Sequence, residues 1–402
     1  MWMLEGRRQS YAWGSVDALP RLLGVEPDQD PFAEIWFGAH PVAPALVQRD
    51  GGPITLDAFI QSQPRRVLGD ASLRRFGPTL PYLLKMIAPA KPLSLQVHPS
   101  LNHARESYAA ENAAGIALDD PARNYRDDNH KPEMIFALSR FEALCGFRTP
   151  RRAASILEGL GVDLTDRLHA LLCSQPTATG MRAAFRALLS PHIEVTPTMI
   201  EQVVVACSHR LCEGTSPSPR IDAIVASLHE HHPGDPGVLT ALLLNPVTLE
   251  AGEAMFVPAG AVHCYLSGLA VEIMAASDNV LRAGLTPKRV DADEMLRCVS
   301  CVAAPPMRVA AERAVGGTDV FYAPVDDFEL SVTRLEGGRS FQPRTRIPGS
   351  GARILLAVEG EILVETGTGR MLVRAGEAVL VADEDGDVWA GGCGCVVQGA
   401  VP

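Results

Sequence analysis

Apolar and polar residues fall into three textures along the chain. Up to about residue 148, short apolar runs are broken by Gly and Pro. Within that stretch Ser94-Leu95-Gln96-Val97-His98 alternates polar with apolar, the period-2 mark of a half-buried strand. From Thr149 to about Asn245 the texture becomes helical. Thr149-Pro150 and Thr196-Pro197 each offer an N-cap followed by proline at the first helical position. Ile221, Ile224, Val225 and Leu228 then recur at helical spacing. This block predicts a helical insertion, with the loop Gly214-Thr215-Ser216-Pro217-Ser218-Pro219 inside it. Strand texture resumes at Val247 and runs to about Ala276. A Pro/Ala/Gly-rich region, Ala303 to Gly317, then sets off a tail of strands and turns that contains Arg353-Ile354-Leu355-Leu356-Ala357-Val358-Glu359-Gly360-Glu361.

One internal repeat stands out: Ala251-Gly252-Glu253-Ala254-Met255-Phe256-Val257 against Ala375-Gly376-Glu377-Ala378-Val379-Leu380-Val381. Both copies sit between a strand and a turn, as they would in two similar antiparallel barrels. The expected fold is therefore mainly β with a helical insertion: two jelly-roll barrels plus an α-helical domain. The expected boundaries are 1–148 with 246–300 for a discontinuous first barrel, 149–245 for the helical insert and 301–402 for the second barrel.

A length of 402 residues suits two or three domains of roughly 100–200 residues. Hydrophobic residues at 47% and charged residues at 21% give an ordinary globular chain. The net charge of −11 argues against a nucleic-acid footprint, so an anionic ligand must be met by a few local cations. The start, Met1-Trp2-Met3-Leu4-Glu5-Gly6-Arg7-Arg8, reaches charge too soon for a signal peptide or a spanning helix, and no membrane association is expected. Nine scattered cysteines read as free thiols of a reducing cytoplasm. Nothing marks an obligate protein partner.

Chemistry concentrates after the first repeat copy. Gly252, five residues, then Pro258-Ala259-Gly260-Ala261-Val262-His263 has the spacing of the second cupin motif, whose histidine is a metal ligand. Upstream, Gln96 and His98 share a strand face with Ser94. In Asn129-His130-Lys131-Pro132-Glu133-Met134, parity points Lys131 and Glu133 together and turns His130 away. Gln96, His98, Glu133 and His263 form a four-ligand N/O set suited to a single Zn2+, without thiolate. Zinc with one carboxylate leaves the site about one unit positive, able to polarise a carbonyl. The alternative is two separate core histidines. Cys298-x2-Cys301 with Cys393-x-Cys395 is a poor zinc candidate and reads as structural thiols. His229-Glu230-His231-His232 reads as a solvated helix terminus.

With these residues in place, the chain resembles the type I phosphomannose isomerases of the cupin superfamily. The resemblance rests on Tyr11-Ala12-Trp13-Gly14-Ser15, Glu34-Ile35-Trp36-Phe37-Gly38-Ala39-His40-Pro41, Ser94 to Pro99, Asn129 to Met134, Gly252 to Gly260 and Ser277-Asp278-Asn279-Val280-Leu281-Arg282-Ala283-Gly284. It implies the same four zinc ligands and reversible conversion of mannose 6-phosphate to fructose 6-phosphate. The chain departs from the family in reading Gly260-Ala261-Val262-His263-Cys264-Tyr265 where Gly-Asn-Pro-His-Ala-Tyr is usual, and Asp127-Asp128-Asn129 in place of Asp-Pro-Asn.

Such an isomerase moves a proton between neighbouring carbons through an enediolate, whose charge needs a fixed positive site. The candidates for catalysis are Arg282, Glu272, Lys131 and Asp278. Those for holding a sugar phosphate are Ser94, Lys131, Tyr265, Arg282, Lys288 and Trp13. Glu272 lies amid apolar residues and is the expected base, with an ion pair to Arg282 as the alternative. Asp278 is expected to stay an ordinary carboxylate that orients Arg282. The rival readings are a sugar-phosphate-binding cupin without turnover and a metal-dependent oxygenase. Gln96 as an extra neutral ligand tells against the second, and Lys131, Glu272 and Arg282 against the first.

Overall fold

The computed structural model describes residues 1–189, 195–338 and 341–402. Its strands pair antiparallel in three sheets. A five-stranded sheet runs in the order Leu244–Leu249, Phe141–Phe147, His263–Ser267, Gln96–Val97, Leu281–Arg282. A seven-stranded sheet has the order Met307–Val309, Ala254–Val257, Glu133–Ala137, Ala270–Ala275, Tyr82–Ile87, Glu34–Gly38, Arg7–Gln9. The third, eleven-stranded sheet is centred on the long strands Arg353–Thr366 and Val388–Ala400.

Strand alternation assigns each face of these sheets a different task. In the seven-stranded sheet, Ile35, Phe37, Leu84, Met86, Val271, Ile273, Met134 and Phe136 face one way. They pack with Phe321, Phe328, Leu330, Ile354 and Leu356 of the C-terminal sheet in one apolar cluster. The odd partners of that alternation, Glu34, Trp36, Lys85, Glu272 and Glu133, fall on the opposite face. Below them a second cluster, including Ile87, Ile135, Cys145, Val257 and Tyr265, joins the seven-stranded to the five-stranded sheet. The outer face of the five-stranded sheet, with Val97, Leu144 and Cys264, is covered by the helices of the 149–245 block. The charged face is thus enclosed on both sides by apolar layers, which fixes where a polar site can lie.

The helix starts expected at Thr149 and Thr196 both form. Thr149 and Thr196 cap Pro150–Leu157 and Pro197–Cys212, their side chains accepting the backbone N–H of Arg152 and Met199. Ile221, Val225 and Leu228 are buried on Pro219–His231. The first 148 residues, in contrast, are not only strands. They also contain the helices Ala18–Leu23, Leu56–Ser62, Pro64–Phe76 and Leu101–Ala113. Leu101–Ala113 buries only Ala104 and Ser107, so it carries no apolar stripe for the sequence pattern to reveal. The alternating segment around residue 96 shortens to the strand Gln96–Val97.

The two repeat copies adopt one local structure. Gly252 and Gly376 both have positive φ, 92° and 87°, a conformation that favours glycine. Gly252 N–H donates to Ala137 O and Gly376 N–H to Ala357 O, each at 2.8 Å. The Glu253 and Glu377 carboxylates accept from the amides of Glu250 and Arg374, also at 2.8 Å. The expected boundaries do not follow the sheets strictly. Trp2–Glu5, Leu46–Val47 and Ile54–Thr55 extend the C-terminal sheet, and Met307–Val309 pairs back onto Ala254–Val257.

Candidate metal centre and active-site cleft

His263 opens one strand of the five-stranded sheet and pairs directly with Gln96 on the next. Glu133 opens its strand in the facing sheet, opposite Val257. His98 follows Gln96–Val97, and its backbone carbonyl accepts the Gly260 N–H at 2.8 Å. That contact ties the loop before His263 to the loop after Gln96. Gly260 has φ +83°, and a Cβ there would press on Cys298 O and Ser300 at 3.3 Å, so the motif's glycine is required by both conformation and space. The result is a compact triad: His98 Nε2 lies 3.2 Å from Glu133 Oε1 and His263 Nε2 3.3 Å from Glu133 Oε2. All three side chains are buried.

Both imidazoles are oriented from behind. His98 Nδ1 lies 2.8 Å from the Asn279 carbonyl and His263 Nδ1 3.1 Å from that of Ala261. A carbonyl accepts only a proton, so each ring carries its proton on Nδ1 and turns the Nε2 lone pair toward Glu133. Burial pushes the His98 pKa down to about 4, against the pull of Glu133, so the ring is neutral at pH 7. Burial would raise the Glu133 carboxyl, yet it lies well below the usual range, with the Lys131 ammonium 3.3 Å away. His98 Nε2 is buried without a hydrogen-bond partner. Two Nε2 atoms, a carboxylate, and Gln96 on the adjoining strand are the donors a zinc ion takes, and the orphaned Nε2 fits that use. Parity served well here: Lys131 Nζ sits 3.3 Å from Glu133, while His130 turns away to Asp327 at 3.0 Å.

Glu133 and His263 of the triad line a cleft of about 730 Å³, within the size range of small-molecule sites. Trp13, Ser94, Gln96, Lys131, Glu133, His263, Tyr265, Glu272, Asp278, Arg282 and Lys288 all line it. His98 is the one sequence candidate outside that lining. Tyr265 donates its hydroxyl to Glu133 at 3.3 Å, and Gln96 Nε2 reaches Ser94 Oγ at 3.3 Å. Trp13 stacks on Tyr11 with ring centroids 5.6 Å apart.

One alternative and one expected pairing are corrected. Glu272 does not pair with Arg282; its partner is Lys85, directly opposite on the neighbouring strand, with Nζ 2.8 Å from Oε2. Asp278 does not orient Arg282 either. It pairs with His40 Nε2 at 3.0 Å, and its amide is held by Asp127. Burial would raise the Asp278 carboxyl, but His40 and then Lys131 bring it below its ordinary value. Arg282 instead stands beside Gln96 in the strand pairing, away from both acids.

Sequence reasoning missed Lys85. Trp36, Lys85 and Glu272 form one row across three strands. Glu34 accepts from Trp36 Nε1 at 2.5 Å and approaches Lys85 Nζ at 4.0 Å. Burial would lower the Lys85 pKa, but Glu272, Glu34 and Glu133 hold it protonated, above its ordinary value. Glu272 itself is raised by burial, with Lys85 opposing. The signal that found Glu272, a charge inside an apolar strand, was equally present in Tyr82-Leu83-Leu84-Lys85-Met86-Ile87.

A second group of metal-competent donors lies elsewhere: His103, Glu294 and Cys298. Here Glu294 Oε1 is already satisfied by His103 Nε2 at 2.7 Å and by the Tyr125 hydroxyl at 2.5 Å. The cluster ties Leu101–Ala113 to Ala292–Cys298. The nine cysteines are all free.

A family profile described as phosphomannose isomerase type I, catalytic domain, matches residues 1–150. The chain is 38% identical to mannose-6-phosphate isomerase of Escherichia coli (strain K12), over 96% of each protein. It is 30% identical to mannose-6-phosphate isomerase of Homo sapiens, covering 94% of this chain and 92% of that one. The structure superposes on that of mannose 6-phosphate isomerase from Salmonella typhimurium, bound to fructose 6-phosphate and zinc. The TM-score is 0.89 at 35% identity, over 100% of this chain and 99% of that one.

Proposed function

The chain belongs to the type I phosphomannose isomerases, and from that premise we infer that its cleft interconverts mannose 6-phosphate and fructose 6-phosphate with one bound zinc. The observation that carries this reading is the triad His98, Glu133 and His263, with both Nδ1 atoms tied to carbonyls, beside a cleft whose other groups include acids, lysines and an arginine. Gln96, His98, Glu133 and His263 hold the zinc, which when bound supplies a positive charge that polarises the substrate carbonyl. Asn279 and Ala261 keep the two imidazoles aimed, and Tyr265 and Lys131 steady Glu133.

Glu272 takes and returns the proton that moves between C1 and C2, and its raised pKa suits a group that must do both. Lys85, held protonated against it, keeps positive charge where the enediolate forms. Arg282 and Lys288 meet the phosphate, and Trp13 and Ser94 line the sugar's path. A cupin that only binds sugar phosphates is disfavoured. Keeping the Lys85–Glu272 pair out of water carries a desolvation cost that binding alone does not require.

The fold reading goes with this: two cupin-like jelly-roll barrels, metal in the first only, and a helical insert over 149–245. The matching turns at Gly252 and Gly376 support it. No described helix is long and apolar enough to cross a membrane. Nine free thiols support a reducing, cytoplasmic setting. A coupled assay for fructose 6-phosphate, run with and without a chelator, tests the reading. Turnover that survives complete zinc removal, or none with zinc restored, defeats it.

A further inference from the structure

Among the described residues, three that are not glycine have a positive φ: Gln29, Leu285 and Phe341. Of these only Leu285, at φ +55°, lies in the cleft wall. A left-handed backbone crowds the Cβ of any L-residue, and a bulky side chain keeps it only where its surroundings impose it. Those surroundings belong to the helical insert. The Leu285 side chain is 2% exposed and lies in the apolar cluster that includes Val238, Leu239 and Leu242.

The backbone on either side is tied down too. Gly237 of the insert packs so closely on the turn that a Cβ there would lie 2.8 Å from the Leu285 nitrogen. Asp235 spans the joint: its carboxylate accepts the Gly237 amide at 2.7 Å and the Thr286 amide at 3.1 Å. Further on, the Lys288 amide donates to Thr286 Oγ1 at 3.1 Å, and the Arg289 guanidinium donates to the Ala122 carbonyl. Between these ties Thr286, Pro287 and Lys288 form a stretch of the cleft wall. The helix end His229-Glu230-His231-His232, expected in solvent, reaches the same cleft through its last three residues.

We propose that Leu285 latches the cleft wall Thr286–Lys288 onto the helical insert, which makes Leu285 and Asp235 positioning residues for substrate binding. This rests on reading the cleft as a sugar-phosphate site, with Lys288 among the groups that meet the substrate. Two opposed effects meet in the latch. Burial of the leucine side chain draws the turn onto the insert, and its left-handed backbone pushes the turn off. Substrate binds the docked fraction, so loosening the latch raises KM by the inverse of that fraction. Once substrate is bound the wall is in place, and kcat changes little. The insert holds none of the zinc ligands; it acts on the site through the turn it fixes.

Leu285→Ala and Leu285→Gly separate the two effects. Both remove the apolar anchor, but glycine accepts the left-handed backbone and alanine does not. KM and kcat are measured for fructose 6-phosphate, and hydrogen exchange of the Thr286 amide is followed by mass spectrometry without substrate. Leu285→Ala should raise KM about 5–50-fold and expose Thr286 to exchange, with zinc content unchanged and the loss on KM rather than kcat. Leu285→Gly should have a KM about 3–10-fold below that of the alanine variant, an order that a purely structural role would not produce. Should neither variant fold, Asp235→Asn tests the joint from the insert side. It keeps one of two acceptor oxygens, and should raise KM about 2–10-fold and speed Thr286 exchange. An unchanged KM in Leu285→Ala or Asp235→Asn, a glycine variant no better than alanine, or a raised KM with Thr286 still protected would overturn the proposal. A protein that isomerises no sugar phosphate refutes the activity instead, and the exchange, read without substrate, still decides whether the latch exists.

Discussion

Lys85 and Glu272 stand opposite each other on neighbouring strands, 2.8 Å apart from Nζ to Oε2, with side-chain exposures of 7% and 3%. Their pairing satisfies two charges that neither could keep alone in this layer. Lys85→Met should therefore leave an unpaired buried carboxylate and destabilise the fold by about 3–5 kcal/mol. Adding Glu272→Leu should recover most of that loss, because the residual charge goes with it. Both variants should be inactive. Urea denaturation of the two checks the claim, and a double variant no more stable than the single one would refute it.

Arg282 has no acid beside it and adjoins Gln96 in the strand pairing. Arg282→Ala should weaken use of mannose 6-phosphate by roughly 2–4 kcal/mol in transition-state terms, the scale of a lost charge-stabilising donor. Zinc content should not change. Normal kcat/KM in this variant would reduce Arg282 to a surface residue.

Metal analysis should find one firmly bound zinc per chain. In the first repeat copy Val257 pairs with Glu133, and in the second Val381 pairs with Arg353. A buried guanidinium thus occupies the place of the ligand carboxylate, donating to Gly349 O at 3.1 Å, and excludes a cation there. His98→Ala should lose the zinc. Cys298→Ser should keep it, since Glu294 is already satisfied by His103 and Tyr125. Two tightly held ions in the wild type would contradict this.

The antiparallel strands, two helix starts and the approach of His98, Glu133 and His263 were legible because each left a local mark. Helix caps at Thr149 and Thr196, alternation at Gln96 and His98, and the spacing from Gly252 to His263 are all written within a few residues. What escaped was set by long-range register. Nothing near residue 85 says that its partner is at 272, and nothing near 278 says that His40, rather than Arg282, lies beside it. The helix Leu101–Ala113 was invisible for a different reason: it lies on the surface and buries too little to impose a period.

Thiol chemistry offers a check on burial. Cys173, Cys212 and Cys393 are exposed. Burial pushes the thiols of Cys145, Cys207 and Cys298 up to about 12 and those of Cys301 and Cys395 up to about 11, with Cys264 raised too. A raised pKa lowers the thiolate fraction at any given pH, and the thiolate is the reacting form. At pH 8 a disulfide reagent should label those three exposed cysteines in the native protein and all nine once it is unfolded. Moving to pH 9 should add none of the buried sites. Rapid native labelling of Cys298 would show the Tyr125 cluster to be open.

The proton-transfer base is decided by contrast between two carboxylates in one cleft. Burial raises the Glu272 carboxyl, whereas His40 brings that of Asp278 below its usual range. A group that must both take and return a proton near neutral pH works best with the higher value. Asp278, already committed to His40 at 3.0 Å, is the weaker base. Glu272→Gln should therefore retain zinc and bind sugar phosphate, yet lose exchange of the substrate C2 hydrogen with deuterated water by about 10²–10⁴-fold. Asp278→Asn should slow exchange far less. If the order is reversed, Asp278 is the base and the Lys85–Glu272 pair serves only to place positive charge. If neither variant loses exchange, Lys131 is left, 3.3 Å from the ligand carboxylate of Glu133.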